Sequence, residues 1–391
     1  MHRRSFLKGA GIVTILVAGG AVWRAEDQGV FSVGQGPAYQ PWRDWQTDAS
    51  AGPLALVRAG ILAASPHNTQ PWLFRVSNSS IELYADTKRN TGALDPYLRE
   101  QHISLGCALE NLMLAAGASG YSASVSLLPG KLEPSPANQP QLVARVELAP
   151  GARQKNELYD VIPLRHTNRN PYDPKRAIPP DVAGALAGLV TDEPNVKLFL
   201  FEADSDRKKI AGIISTANNV LYADPEVQHG SERWIRTKWS SVQKYRDGLT
   251  IDAAGLPPTT AAIAKFVPSS VLRWMVPDKE DPYLKLLLTP PMFGVIAVRD
   301  RYDREQSLRA GRIWQRAHLL ATARQLAARP ANEAVEMVDH ERKLGREPQH
   351  AKLLAELTGD ATWHPTFTFY MGYAIRQAPA SPRRAVQDVV F

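Results

Sequence analysis

Apolar residues recur at helical spacing over 54–64 and stop just before the segment Ser65-Pro66-His67-Asn68-Thr69-Gln70-Pro71-Trp72, which reads as a turn. Two short runs rich in β-branched and aromatic residues, 72–76 and 81–85, flank Asn78-Ser79-Ser80 and predict a hairpin. Asp95-Pro96 breaks the chain. The stretch 100–120 then predicts a helix that is apolar on nearly every side, with Leu105, Leu109, Leu112, Met113 and Ala116 at helical spacing. A helix without a polar face belongs at the centre of a core or between two units. A loop with four prolines and a glycine follows over 129–140, and a strand over 143–148.

A second unit starts near Asn156. Residues 165–180 are Pro-rich and extended, and 181–190 predict a short helix capped by Asp181. Strands are expected over 196–201, 293–298 and 367–372, and helices over 204–222 and 307–328. The stretch 229–291 departs from this alternation. It carries Trp234, Trp239, Trp274, Asp247-Gly248-Leu249 and Pro257-Pro258, and reads as a lid-like insertion. The two units echo each other. Helices 98–116 and 308–324 share an Arg near the start (Arg99, Arg309) and a Gly further on (Gly106, Gly311), which points to an internal duplication. The expected layout is a leader or anchor over 1–30, a tether over 31–53, a first half over 54–155 and a second over 156–391.

Composition narrows the chemistry. At 391 residues with 44% hydrophobic and 22% charged residues, the chain is globular and long enough for two structural units. The net charge is +7, but Lys and Arg are scattered with no run of five or six, so the excess reads as a solvated basic surface and no nucleic-acid partner is expected. Cys107 is the only cysteine, which excludes an intrachain disulfide and a thiolate metal cluster; its apolar helical setting reads as core. The sequence holds no glycine-rich dinucleotide turn, no phosphate loop and no paired-His metal spacing. Arg3-Arg4-Ser5-Phe6-Leu7-Lys8 precedes an uncharged stretch over 9–23, a basic region followed by a short apolar one. That stretch is shorter than the roughly 20 residues a spanning helix needs.

Two segments carry candidate chemistry. The turn around Ser65, Asn68 and Gln70 supplies hydroxyl and amide groups, which offer both donors and acceptors to the edge of a heterocycle. Arg165-His166-Thr167-Asn168-Arg169 supplies two guanidiniums flanking a hydroxyl, and Arg forks match phosphate oxygens two at a time. A phosphate joined to a flat hydrogen-bonding ring, as in FMN, calls on both sets.

Together with Leu83-Tyr84-Ala85-Asp86, Arg89, Asp95-Pro96, Arg99-Glu100, Ser104, Gly106, Asn111, Asn170-Pro171, Met371-Gly372-Tyr373 and Ser381-Pro382-Arg383, these segments resemble the nitroreductase-like flavoprotein superfamily, and best its Acg-type branch. The resemblance implies an α+β sandwich in which two related halves are fused as an intrachain pseudo-dimer, with one complete FMN site per chain. It implies that Arg165, Thr167, Arg169 and Arg383 hold ribityl and phosphate oxygens and that Ser65, Asn68 and Gln70 contact the flavin. The flavin N5 then carries the chemistry, with no catalytic side chain and no metal, toward a small acceptor such as a nitro compound or quinone. The alternative is a non-catalytic protein that sequesters flavin beneath the insertion. The paired arginines also resemble a twin-arginine export signal. That implies the export machinery as a partner and a periplasmic or membrane-anchored place outside the cytoplasm, the leader being either cleaved or kept as an anchor.

Overall fold

The computed structural model describes residues 24–46, 52–134, 139–154, 156–266 and 281–391. The expected leader therefore lies almost wholly outside the described residues, and Trp274 lies outside them too. No helix among the described residues is long and apolar enough to cross a membrane.

The fold is α+β and consists of two halves with one topology. In the first, α1 (Pro53–Gly60) precedes the hairpin β1 (Trp72–Val76) and β2 (Ser80–Ala85), the long helix α2 (Arg99–Ser119), and β3 (Tyr121–Leu127) and β4 (Gln141–Pro150). In the second, β5 (Val196–Phe201), helix α3 (Asp204–Leu221) and β6 (Met292–Val298) precede α4 (Arg304–Ala323), β7 (Ala327–Pro330), α5 (Glu333–Lys343) and β8 (His364–Gly372). The strand orders are β1-β2-β4-β3 and β5-β6-β8-β7, and every pairing is antiparallel. In each sheet the last strand is thus inserted between the second and the third, and a long helix, α2 or α4, joins the second strand to the third; the second half adds helices between its first and second strands and between its third and fourth.

The period of each strand follows its surroundings. β1 and β2 bury Trp72, Phe74, Ile81, Leu83 and Ala85 on alternate positions and leave the other face to solvent. β6 is buried at every position, and its sequence Met-Phe-Gly-Val-Ile-Ala-Val is correspondingly apolar throughout. Helix α2 is buried along nearly its whole length because it lies between the halves, against α4. Gly106 and Gly311 make that crossing feasible: a Cβ on either would run into the opposite backbone, at Leu308 and at Ile103 respectively. A buried amide chain locks the seam, with Gln315 Nε2 donating to Asn111 Oδ1 at 2.9 Å and Asn111 Nδ2 donating to the Ala59 carbonyl at 2.8 Å.

Four expectations need correction. The helical echo pairs Arg99 with Arg304, not Arg309: with Gly106 opposite Gly311, Arg99-Glu100-Gln101 falls on Arg304-Glu305-Gln306. Residues 327–328 are strand, because α4 ends at Ala323 and Gln325 turns the chain at φ 59°. The helix expected over 181–190 spans Pro180–Gly188 with Pro179 at its N-cap, so Asp181 sits in the first turn. Finally, residues 24–46 are no loose tether. Tyr39, Trp42 and Trp45 are buried and dock the segment on the body, where Tyr39 stacks on Trp239 at 6.2 Å and Trp45 tilts onto Tyr159 at 4.9 Å.

Candidate functional site

The turn after α1 is under backbone strain. His67, Asn68 and Gln70 all have left-handed φ values, of 47°, 55° and 51°, in a region that non-glycine residues enter at a cost. Side chains hold it there. Ser65 Oγ accepts from the Gln70 N–H at 3.1 Å, Asn68 Nδ2 donates to the Pro382 carbonyl at 2.9 Å, and Gln70 Nε2 donates to the Arg246 carbonyl at 2.9 Å. Gln70 Oε1 accepts from the Arg384 N–H at 2.8 Å. The amide of Gln70 and the Nδ2 of Asn68 are therefore spent on backbone, bracing the turn between the insertion and the C-terminal tail.

Behind the turn lie two guanidiniums with no counterion. Arg165 (2% exposed) and Arg383 (3% exposed) donate to consecutive carbonyls, Leu62 at 3.0 Å and Ala63 at 3.2 Å. Arg383 Nη1 also donates to Asn68 Oδ1 at 2.7 Å, and Arg165 Nη1 donates to His318 Nδ1 at 3.2 Å. Burial and the charge of Arg165 hold both His318 and Arg383 well below their ordinary ranges. Among the described residues no carboxylate pairs with either arginine, and the Nε of each is buried without a partner. Two adjacent cations in a desolvated place are costly by several kcal/mol each unless an anion joins them.

Beside the turn lies a cavity, partly open to solvent, lined by Ser65, His67, Thr167, Arg169, Arg329 and Trp314 among others. Thr167 and Arg169 reach it because Asn168 N–H donates to the Ala328 carbonyl at 3.1 Å, fixing this strand-like stretch beside β7. Burial, then the charge of Arg329, lowers Arg169 to about 10. His67 falls to about 4 through burial and the charge of Arg169, so it is neutral at pH 7, and its Nε2 lies 2.7 Å from Ser231 Oγ.

The cavity lining is also acidic. Glu100, Glu333 and Glu336 all line the cavity. Tyr283 Oη donates to Glu333 Oε1 at 2.7 Å, while Oε2 of the same carboxyl is buried without a partner. Burial raises all three carboxyls, Glu100 to about 8. Sequence reasoning missed this wall and Arg329. The signal was present in Glu333 and Glu336, three positions apart on one helical face, but nothing linked them to Glu100 before the halves were packed.

Ser65, Thr167 and Arg169 thus meet in the cavity, Arg165 and Arg383 stand together behind it, and Asn68 and Gln70 brace the turn between. The insertion sits on top. Short α-helices at Pro225–Glu232, Trp239–Tyr245 and Pro258–Ala264 begin and build it, Leu249 lines the cavity, Trp234 Nε1 donates to the Asn90 carbonyl at 2.9 Å, and Asp247 pairs with both Arg89 and Arg236. The duplicated helices differ at the positions that line the cavity. Where α2 has Ser104 and Cys107, α4 has Arg309 and Arg312, whose guanidiniums bind Glu193 and Glu110 at 2.8 Å each.

No protein-family model matches the chain. It is 26% identical over 340 residues to a Mycobacterium tuberculosis (strain H37Rv) protein named "Putative NAD(P)H nitroreductase Rv3131", covering 84% of this chain and 88% of that one. It is 27% identical over 219 residues to an uncharacterized protein of the same strain, covering 51% of this chain and 54% of that one. The chain thus spans about half the length of some curated relatives and most of another. An FMN-bound nitroreductase structure from Bacteroides fragilis aligns over 59% of this chain and 95% of its own, at 14% identity and a TM-score of 0.35. An FMN-dependent nitroreductase from Mycobacterium smegmatis in complex with NADPH aligns over 59% and 96%, at 16% identity and a TM-score of 0.35. The names of the sequence relatives support a nitroreductase-like relationship.

Proposed function

We propose that the chain binds one FMN at the junction of its halves and acts as a nitroreductase-like oxidoreductase on a small acceptor such as a nitro compound or quinone. The observation that carries this is the Arg165–Arg383 pair, two buried cations with partnerless Nε atoms and, among the described residues, no facing carboxylate. A phosphate answers that deficit, and the donor set fits it. Arg165 and Arg383 would hold the phosphate, Thr167 and Arg169 the oxygens next to it, and Ser65 the near edge of the flavin. Bound flavin supplies hydride or electron transfer at N5. The protein's part is to position and dry the ring: Trp314 and Phe367 give the cavity apolar surface and the insertion limits water. The named relatives make NAD(P)H one candidate donor.

The test is direct. Protein purified with its cofactor shows oxidised-flavin absorbance, and dithionite or NAD(P)H bleaches it. Colour that returns with turnover on adding a nitroaromatic supports the enzyme. A colourless protein that takes up no added FMN sinks the proposal.

A second reading is supported by the insertion, which touches the site turn through His67, Asn68 and Gln70. A cover so anchored suits a protein that stores flavin without turnover. Flavin inert toward every donor favours storage. The leader motif supports export by the twin-arginine route, which carries folded, loaded proteins. Replacing Arg3 and Arg4 by Lys and following the chain by cell fractionation tests it.

A further inference from the structure

The N-terminal segment, outside both halves, completes the cationic site. Trp42 is 8% exposed, and its indole lies over Arg383 with 4.5 Å from the guanidinium carbon to the ring. The same ring meets His166 edge-on at 4.7 Å, and its Nε1 donates to the Ser381 carbonyl at 2.7 Å. The Arg383 N–H donates to the Ala38 carbonyl at 2.7 Å. Gln243, from the insertion, secures the segment from the other side by accepting from the Ala38 N–H at 3.0 Å. Residues 38–42 thus give Arg383 both a backbone acceptor and an aromatic face.

We infer that Trp42 is a positioning residue of the anion site, and that docking of the 36–45 segment and binding of a phosphate monoester at Arg165 and Arg383 stabilise each other. The inference rests on the flavin-phosphate reading above. Its physical basis is linkage. With the segment docked, two guanidiniums are shut away from water without a counterion, so docking is opposed until an anion enters. An anion that enters a site already roofed by an indole is bound in a dry, low-dielectric place and held more tightly. Coupling between two binding events is reciprocal, so the phosphate must tighten the segment as much as the segment tightens the phosphate. His166, held at about 3 by burial and by the charges of Arg165 and Arg383, stays neutral and adds no third cation beneath the roof.

The experiment uses the full chain stripped of cofactor and titrated by calorimetry with FMN and, separately, with riboflavin, which lacks the phosphate. Trp42→Ala is expected to weaken FMN roughly 3- to 30-fold, the range a cation–π contact spans from exposed to desolvated settings, while riboflavin affinity stays within about two-fold of wild type. Trp42→Phe keeps the ring and restores most of the FMN affinity. Equal losses for both ligands, or no loss for either, overturn the inference. A measurement on wild type needs no variant to fold: FMN slows amide hydrogen exchange over 36–45 and riboflavin does not. Equal protection by the two overturns the inference alone. Failure of wild type to bind FMN overturns the functional reading beneath it.

Discussion

Gly106 and Gly311 meet back to back where α2 crosses α4, and a Cβ built on either would stand 3.0 Å from the other's Cα. Gly106→Ala and Gly311→Ala should therefore each force the helices apart along a fully packed seam. Overpacking of this kind costs about 1–3 kcal/mol, and more where the backbone must move. Because the two positions share one contact, the double variant should lose less than the summed losses. Urea unfolding of the three variants checks this, and strict additivity would show that the glycines are not coupled.

Asp339 is fully buried between Arg99, whose Nε donates to it at 2.7 Å, and Arg301, whose Nη2 donates at 2.9 Å. Asp339→Ala strands two guanidiniums and should cost about 3–5 kcal/mol, the penalty for breaking a buried ion pair from one side. A loss below about 1 kcal/mol in chemical denaturation would mean that water already reaches the arginines.

The acidic wall sets a pH dependence. Burial raises Glu100 from 4.5 to about 8 and pushes Glu336 well up, the latter helped by the charges of Glu100 and Glu333. Between about pH 4.5 and 8 the folded chain keeps protons that the unfolded chain has released, so this wall's contribution to stability declines as pH rises. Glu336→Gln, which cannot ionise, should flatten that decline in a series of melting temperatures. An unchanged slope would show that the carboxyls ionise normally in the fold.

Asp247 is the peg of the insertion, binding Arg89 of the first half and Arg236 of its own segment. Asp247→Asn keeps the shape and halves the acceptor capacity. Release of bound flavin, followed by recovery of its fluorescence on dilution, should quicken several-fold with little change in melting temperature. A large melting loss with unchanged release would make the peg a support of the fold and not of the cover.

Much of the scaffold was legible in the sequence because burial leaves a period. The hairpin, β6 and the all-round apolar α2 follow from residue spacing, and the lack of a polar face on α2 left it either at the centre of a core or between two units. β3 was missed because Ser122, Ser124 and Ser126 alternate with modest apolar residues and carry little signal. Residues 31–46 read as a tether because Tyr39, Trp42 and Trp45, though three apart, stand in a short polar stretch broken by Pro37 and Pro41; their burial depends on partners far along the chain, Tyr159, Trp239 and Arg383. The site divided likewise. Arg165 and Arg169 flanking Thr167 were visible as a group of donors and Arg383 only through the family resemblance, whereas the acidic wall exists only once α5 is brought against α2.

The shared strand order has one last consequence. A seam between separate subunits dissolves on dilution, and whatever is bound across it escapes. Here the peptide itself holds the partner half at an effective concentration on the order of millimolar or above. Affinity for a molecule lodged in that seam should thus be the same in a crowded cell and at trace levels of protein.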